Sequence, residues 1–247
     1  MTAGDKHIHT FHTGEILARV LAENILDMIR DSHVSGRNLN IALSGGSTPK
    51  ILFEHLARFS HDLDMWENVN IYWVDERCVP PDHPDSNFGL CNEILLRHIK
   101  LSSDHVFRMM GEKEPHDEAA RYSGKLLENL PSHNDIPAFD LVLLGMGNDG
   151  HTASIFPDQM QLLTTDQICD VGIHPKSRQH RVTLTGKVIN NAHQIYFLVT
   201  GTEKADIVAM IIEGEPGKDK YPAAHINPTH GTLSWFLDAS AAAHLKK

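Results

Sequence analysis

Residues 39–59 read LNIALSGGSTPKILFEHLARF, and this stretch contains the unit that decides the fold. The apolar run from Leu39 to Leu43 is too short for a helix and is followed at once by a glycine-rich turn. A short apolar run bounded by turn residues is typical of a buried strand. From about Lys50 to Phe59 the apolar residues recur at helical spacing, so the stretch predicts a strand, a tight turn and a helix.

The same alternation recurs along the chain. Further short apolar runs predict strands at Val69 to Val74, Phe139 to Leu144 and Ile195 to Val199. Helical spacing predicts a first helix that ends near Gly36 and later helices at about 87–98, 117–130 and 203–212. Strands that alternate with helices of this length favour an α/β fold with a mostly parallel sheet covered on both faces. We expect one domain over residues 1–247, with a surface loop at 213–222.

The composition excludes several classes of protein. The 247 residues are 41% hydrophobic and 22% charged, which is typical of a globular protein. The 22 Lys and Arg residues against 32 Asp and Glu residues give 22 − 32 = −10, a net charge that disfavours nucleic acid as a partner. Neither a signal peptide nor an apolar run of membrane-spanning length is present, so we expect no membrane association.

The cysteines and histidines indicate neither a disulfide framework nor a metal site. Cys78, Cys91 and Cys169 form no CxxC pair, which favours a reducing cytoplasm. The 18 histidines include no HExxH motif and no cluster with cysteine, so we expect no bound metal. Most are expected at the surface, with those at positions 7, 9 and 12 in a frayed N-terminal segment.

The turn after the first predicted strand has the features of a phosphate cradle. Its residues are Ser44, Gly45, Gly46, Ser47 and Thr48. The glycines permit close backbone approach, Thr48 is placed to cap the following helix, and Pro49 suits its first position. A helix N-terminus offers unpaired N–H groups and positive potential to an anion. The turn matches neither GxGxxG nor GxxxxGK[ST], so no dinucleotide or nucleotide cofactor is expected, and a capped turn without a ligand is the alternative.

Polar residues also follow the other predicted strands, and ligands of open α/β sheets bind at the carboxyl ends of strands. The second strand is followed by Asp75, Glu76 and Arg77. They are candidates for a ligand site, and a surface salt-bridge cluster is the alternative interpretation. His151 ends the glycine-rich loop after the third strand, and histidine is suited to general base catalysis at neutral pH. Arg181 and Lys204 can supply the local positive charge that an acidic protein needs to hold a phosphate.

These segments together resemble one family. They are SGGSTP at 44–49, DERCVP at 75–80, LLGMGNDGHTASIFP at 143–157, RVTLT at 181–185 and FLVTGTEK at 197–204. In this order they resemble 6-phosphogluconolactonases, within the wider group of sugar-phosphate isomerases and deaminases. The resemblance runs from about residue 10 to 240 and implies a three-layer, modified Rossmann-like α/β/α fold. It also implies hydrolysis of 6-phospho-D-glucono-1,5-lactone in the oxidative pentose phosphate pathway, without a cofactor.

The resemblance further implies residue roles. His151 would be the general base that activates water, and either Asp149 or Asp75 would orient it. The turn at 44–48, together with Arg181 and Lys204, would hold the 6-phosphate. Arg77 would contact either the phosphate or the developing oxyanion. The oligomeric state expected is a monomer or a weak homo-oligomer.

Two other functions are also considered from the sequence, a deaminase and a regulator. A glucosamine-6-phosphate deaminase resembles the chain at the glycine turn, at Asp75 and at residues 149–151, but its loop usually carries a glutamate shortly after the histidine. Here residues 152–157 read TASIFP, which together with Arg77 favours the lactonase. A sugar-phosphate-sensing regulator would need a DNA-binding unit, and the roughly 38 residues before the first predicted strand contain one amphipathic helix and no basic helix-turn-helix.

Overall fold

A computed structural model describes residues 6–60 and 64–246 of the chain. The helices are α1 Gly14–Ser35, α2 Ser47–Ser60, α3 Asn87–Ile94, α4 Pro115–Asn129, α5 Gly186–Ile189 and α6 Ala205–Ile212. The strands are β1 Lys6–Phe11, β2 Leu39–Leu43, β3 Val69–Trp73, β4 Asp75–Arg77, β5 Val106–Phe107, β6 Ser132–His133, β7 Ile136–Pro137, β8 Leu141–Leu144, β9 Cys169–Ile173, β10 His180–Leu184, β11 Gln194–Val199 and β12 Thr232–Asp238. Within these residues, no helix has both the length and the apolar character that crossing a membrane requires.

The central sheet has seven strands in the order β1-β12-β11-β8-β2-β3-β5, and every neighbouring pair is parallel. Successive side chains of a strand point to opposite faces of the sheet. Accordingly, Ile41 and Leu43 pack in one apolar cluster with α1, α2 and α3, whereas Ala42 packs in a second cluster with α4, α5 and α6. The predicted three-layer α/β/α architecture is confirmed.

A second, smaller sheet is antiparallel, with the strand order β4-β10-β9. The chain passes from β3 directly into β4, and so links the two sheets on the side where the parallel strands end. The sequence analysis assigned no strands to this region. The small sheet is important for the site because its middle strand carries Arg181.

Several predicted boundaries hold and others are wrong. Strand β2 spans the predicted residues, and α1 ends where Gly36 adopts a left-handed conformation with φ of 64°. Helix α2 begins at Ser47, so Thr48 lies inside the first turn and is not the N-cap. Its hydroxyl instead lies 2.9 Å from that of Thr200.

The prediction of a frayed N-terminal segment is also wrong for His7 and His9. Both lie in β1, which pairs with β12 along its whole length at the edge of the sheet. The strand was not predicted because its residues are mostly exposed and polar. It therefore lacks the apolar run by which the buried strands were predicted. The segment 213–222 is a loop as predicted, with one short 3₁₀ turn at Lys218–Lys220.

Candidate active site

A cavity of about 390 Å³ lies at the carboxyl ends of β2, β8 and β11. Its lining includes every predicted site residue except Asp149, namely Ser44, Gly45, Gly46, Ser47, Thr48, Asp75, Arg77, His151, Arg181 and Lys204. These residues come from five separate segments of the chain. The volume is that of a small-molecule site.

Asp149 lies behind His151 and holds its ring. The Asp149 carboxylate oxygen Oδ1 is 2.6 Å from Nδ1 of His151, and the same oxygen accepts the backbone N–H of His151 at 3.1 Å. Since an ionised carboxylate can only accept, Nδ1 carries the proton in this pair, and Nε2 of the neutral ring is left as the acceptor. The imidazole is therefore in the tautomer that a general base requires.

The pKa of Asp149 reflects the same pairing. Partial burial by itself raises this pKa, but the hydrogen bonds and the electrostatic interaction with His151 outweigh burial and lower the pKa to about 2. The carboxylate is consequently ionised throughout the pH range in which enzymes normally work. It can thus stabilise a positive charge on His151.

The loop before His151 needs a glycine at position 147. A Cβ atom at Gly147 would lie 2.1 Å from Nδ1 of His151 and 2.8 Å from the Asp149 carboxylate. The loop closes tightly around the pair, because the N–H of Gly147 donates to the carbonyl of His151 at 2.9 Å. Any side chain at this position would displace the His151–Asp149 pair.

Asp75, the other carboxylate considered for orienting His151, has different partners. It is buried, and one of its oxygens accepts a hydrogen bond from the Ser154 hydroxyl at 2.6 Å while the other lies 3.3 Å from Nδ2 of Asn87. Among the described residues, the His151 ring is hydrogen-bonded to Asp149 and not to Asp75. Of the two carboxylates, Asp149 is therefore the one that contacts the ring.

The glycine turn also lines the cavity, at the N-terminus of α2. Asn87 packs directly over Gly45, where a Cβ atom would lie 1.8 Å from the Asn87 carboxamide oxygen. The Ser44 hydroxyl donates to the carbonyl of Leu143 at 2.8 Å, so its single proton is already used within the protein. Ser47 is exposed and lies at the start of the helix, where its backbone N–H is one of the free donors.

The cations of the site are concentrated on the small antiparallel sheet. Arg77 on β4 and Arg181 on β10 are directly opposite each other in the register, so their side chains share one face. Burial lowers the pKa of Arg181, and the charge of Arg77 lowers it further while Asp75 raises it. Within the described chain, the buried Nε atoms of both arginines have no hydrogen-bond partner. Like charges placed opposite each other are unfavourable unless an anion joins them.

Lys204 adds a third cation to the cavity lining. It lies in the short 3₁₀ turn Thr202–Lys204 after β11. Burial lowers its pKa, and the nearby carboxylates of Glu203 and Asp149 raise it. A bound anion would favour its charged form in the same way. Three cations thus surround a cavity in a protein whose net charge is −10.

Sequence reasoning missed the supporting roles of Asn87, Ser154 and Glu76. Asn87 and Ser154 hold Asp75, and Ser154 belongs to one of the segments that carried the family resemblance. Glu76 lies next to Asp75 but is buried away from the cavity lining, and it accepts the backbone N–H groups of Asn87 and Phe88 at the start of α3. The alternation of strand β4 explains why neighbours at 75 and 76 have different environments.

Comparison with known proteins identifies the family. The profile described as Glucosamine-6-phosphate isomerases/6-phosphogluconolactonase matches residues 12–235. The chain belongs to this family. Among the described residues, no group of three or more histidine, cysteine, aspartate or glutamate side chains is arranged to hold a metal ion.

Within the isomerase and lactonase family, similar relatives are named as lactonases. A 6-phosphogluconolactonase of Treponema pallidum is 44% identical over 195 residues, covering 78% of this chain and 80% of the relative. One of Haemophilus influenzae is 39% identical and covers 89% and 95%. The solved structure of 6-phosphogluconolactonase from Trypanosoma brucei matches with a TM-score of 0.85 at 30% identity, covering 99% of this chain and 100% of that one.

Proposed function

We propose that the protein hydrolyses 6-phospho-D-glucono-1,5-lactone to 6-phosphogluconate, a reaction of the pentose phosphate pathway. The observation that carries this proposal is the position of the His151–Asp149 pair, whose imidazole opens onto the cavity that also contains Arg77, Arg181 and Lys204. The lactonases among its relatives support the same substrate.

In the proposed first step, Nε2 of His151 removes a proton from water as the water oxygen attacks the C1 carbonyl of the lactone. Nδ1 donates to Asp149, so the imidazolium that forms is paired with an ionised carboxylate. The tetrahedral intermediate then collapses, the bond from C1 to the ring oxygen breaks, and the Nε2 proton passes to that oxygen. One water is consumed, and no covalent enzyme intermediate is required.

The cations have two tasks in this proposal. Arg181, Lys204 and the N-terminus of α2 bind the 6-phosphate, because a dianion is best held by charged donors and free backbone N–H groups. Arg77 is directly opposite Arg181, so it contacts either the same phosphate or the oxyanion that develops at C1. Asp75 organises this wall through Ser154 and Asn87.

A paired assay tests the proposal. The lactone is generated with glucose-6-phosphate dehydrogenase, and its hydrolysis is followed by coupling the product to 6-phosphogluconate dehydrogenase, after subtraction of the spontaneous rate. Ammonia release from glucosamine 6-phosphate is measured beside it. We expect hydrolysis without ammonia release, and His151→Ala should lower kcat by about 10² to 10⁴, the usual contribution of a positioned general base. Ammonia release, or a His151→Ala rate above half of wild type, would contradict the proposal.

The remaining assignments belong to the same proposal. They are one domain over residues 1–247, a cytoplasmic location, a monomer or weak homo-oligomer, and a small sugar phosphate as the ligand. Activity without a bound cofactor or metal follows from the proposed use of histidine-activated water.

A further inference from the structure

Phe156 is a fully buried residue that lies outside both apolar clusters of the described chain. Its side chain has 0% exposure, yet it is a member of neither the cluster under α1 to α3 nor the one under α4 to α6. Polar rings and a charged group surround it instead. The burial of a large apolar side chain among the groups of a candidate site indicates a role other than packing in the core.

The ring of Phe156 contacts two of the groups on which the proposed function depends. The His151 imidazole lies 4.7 Å from it between ring centroids, tilted by 44°. The Arg181 guanidinium lies over it, with its central carbon 5.8 Å from the ring centroid. On another side, His174 meets it edge-on at 5.4 Å.

The contacts join two parts of the chain that are distant in sequence. Phe156 and His151 belong to the loop after β8, whereas Arg181 lies on β10 of the small antiparallel sheet. The backbone N–H of Ser154 also donates to the hydroxyl of Thr183 on β10, at 3.2 Å. The loop and the strand are therefore docked on each other beside the ring.

The electrostatics of an aromatic face suit both neighbours. Such a face carries partial negative charge and attracts cations. Arg181 is a permanent cation, and in the proposed reaction His151 becomes one when it takes the proton from water. An aliphatic side chain of similar size would fill the same space without this attraction and without a flat surface against which the imidazole can pack.

We propose that Phe156 is a positioning residue, which fixes the imidazole of His151 relative to the guanidinium of Arg181. The inference rests on the proposed function, in which His151 is the general base and Arg181 binds the phosphate. Phe156 itself does not line the cavity, so it acts through these two side chains and not on the substrate.

Kinetics of Phe156→Leu test this role against a matched control. Phe139→Leu makes the same change at an equally buried phenylalanine that packs within the apolar cluster, edge-on to Tyr72. We expect Phe156→Leu to lower kcat by about ten- to a hundredfold, the range caused by a small misplacement of reacting groups. It should also raise KM for the phosphorylated lactone. Phe139→Leu should lower the melting temperature comparably while leaving both constants within about twofold of wild type, well inside that range.

Two further variants separate positioning from a general loss of structure. Phe156→Tyr keeps the ring and should recover most of the kcat lost in Phe156→Leu. In a His151→Ala background, Phe156→Leu should cause little additional loss of kcat, because the group it positions is already absent. Equal kinetics for Phe156→Leu and Phe139→Leu, or an undiminished effect without His151, would overturn the inference.

The same experiment separates failure of this inference from failure of the proposed function. A wild-type protein without lactonase activity, or a fully active His151→Ala variant, overturns the proposed function and the inference with it. An active wild type and an impaired His151→Ala variant, combined with an unimpaired Phe156→Leu variant, overturn only the role of Phe156.

Discussion

Replacing Asp149 with alanine removes the carboxylate that is hydrogen-bonded to His151 and leaves the residues that line the cavity unchanged. Asp149 does not line the cavity, so substrate contacts should be retained. The variant loses the hydrogen bond between Oδ1 and Nδ1 at 2.6 Å and the counter-charge of the imidazolium. It therefore tests whether the pairing seen in the structure contributes to the reaction.

The magnitude follows from the pKa of Asp149. Its fall from 3.8 to about 2 corresponds to about 2 to 3 kcal/mol of interaction between the ionised carboxylate and its surroundings. The Asp149 side chain is 44% exposed, and solvent screening reduces the useful part to about 1 to 2 kcal/mol. Because the pairing strengthens when His151 becomes charged, we expect Asp149→Ala to lower kcat by about 5- to 30-fold with KM little changed.

Titration of Asp149 itself does not affect the comparison. Because its pKa is lowered to about 2, the carboxylate is ionised over the whole range from about pH 5 to pH 9. The difference between Asp149→Ala and wild type therefore reflects loss of the ionised carboxylate at every pH in this range.

The assay is the coupled lactonase measurement across this range, with two companion variants. Asp149→Asn keeps an acceptor oxygen without the charge and should fall between wild type and Asp149→Ala. Asp158→Ala is the matched control, since Asp158 is an exposed carboxylate of the same loop whose side chain accepts from Gln159. If Asp149→Ala kept kcat within twofold of Asp158→Ala, the proposed contribution of Asp149 to the reaction would be refuted.

Three further predictions concern the cations, the loop and metals. Arg181→Ala and Lys204→Ala should each lower kcat/KM for the phosphorylated lactone by about one to two decades, with the slow hydrolysis of gluconolactone almost unchanged; equal losses on both lactones would assign them to the chemistry or the fold. Gly147→Ala should lower kcat at least about tenfold by displacing His151, whereas Gly124→Ala, where a Cβ atom meets nothing within 4 Å, should leave kcat unchanged. Dialysis against a chelator should leave the rate unchanged, and a loss restored by zinc or magnesium would contradict histidine-activated water.

The central part of the fold was predictable because its signals are local. Strand β2 and the start of the glycine turn are specified by residues adjacent in sequence, and parallel strands must place their carboxyl ends at one edge. His151 was predicted as a site residue for the same reason, as the histidine of a glycine-rich loop at such an edge. By contrast, β1 is exposed and polar, and its place depends on pairing with β12, more than 200 residues away.

What the sequence determined by itself was the order of strands β2, β3, β8 and β11 and of the longer helices, the set of residues near the carboxyl edge and the acidic background against which an anion must be held. Only the tertiary structure decided that Asp149 and not Asp75 pairs with His151, that Arg77 faces Arg181 and that Phe156 lies against two groups of the site. The physical reason is that such distances depend on strand register and on how separate elements pack. Segments about 100 residues apart, such as β4 and β10, meet only when the whole chain has folded.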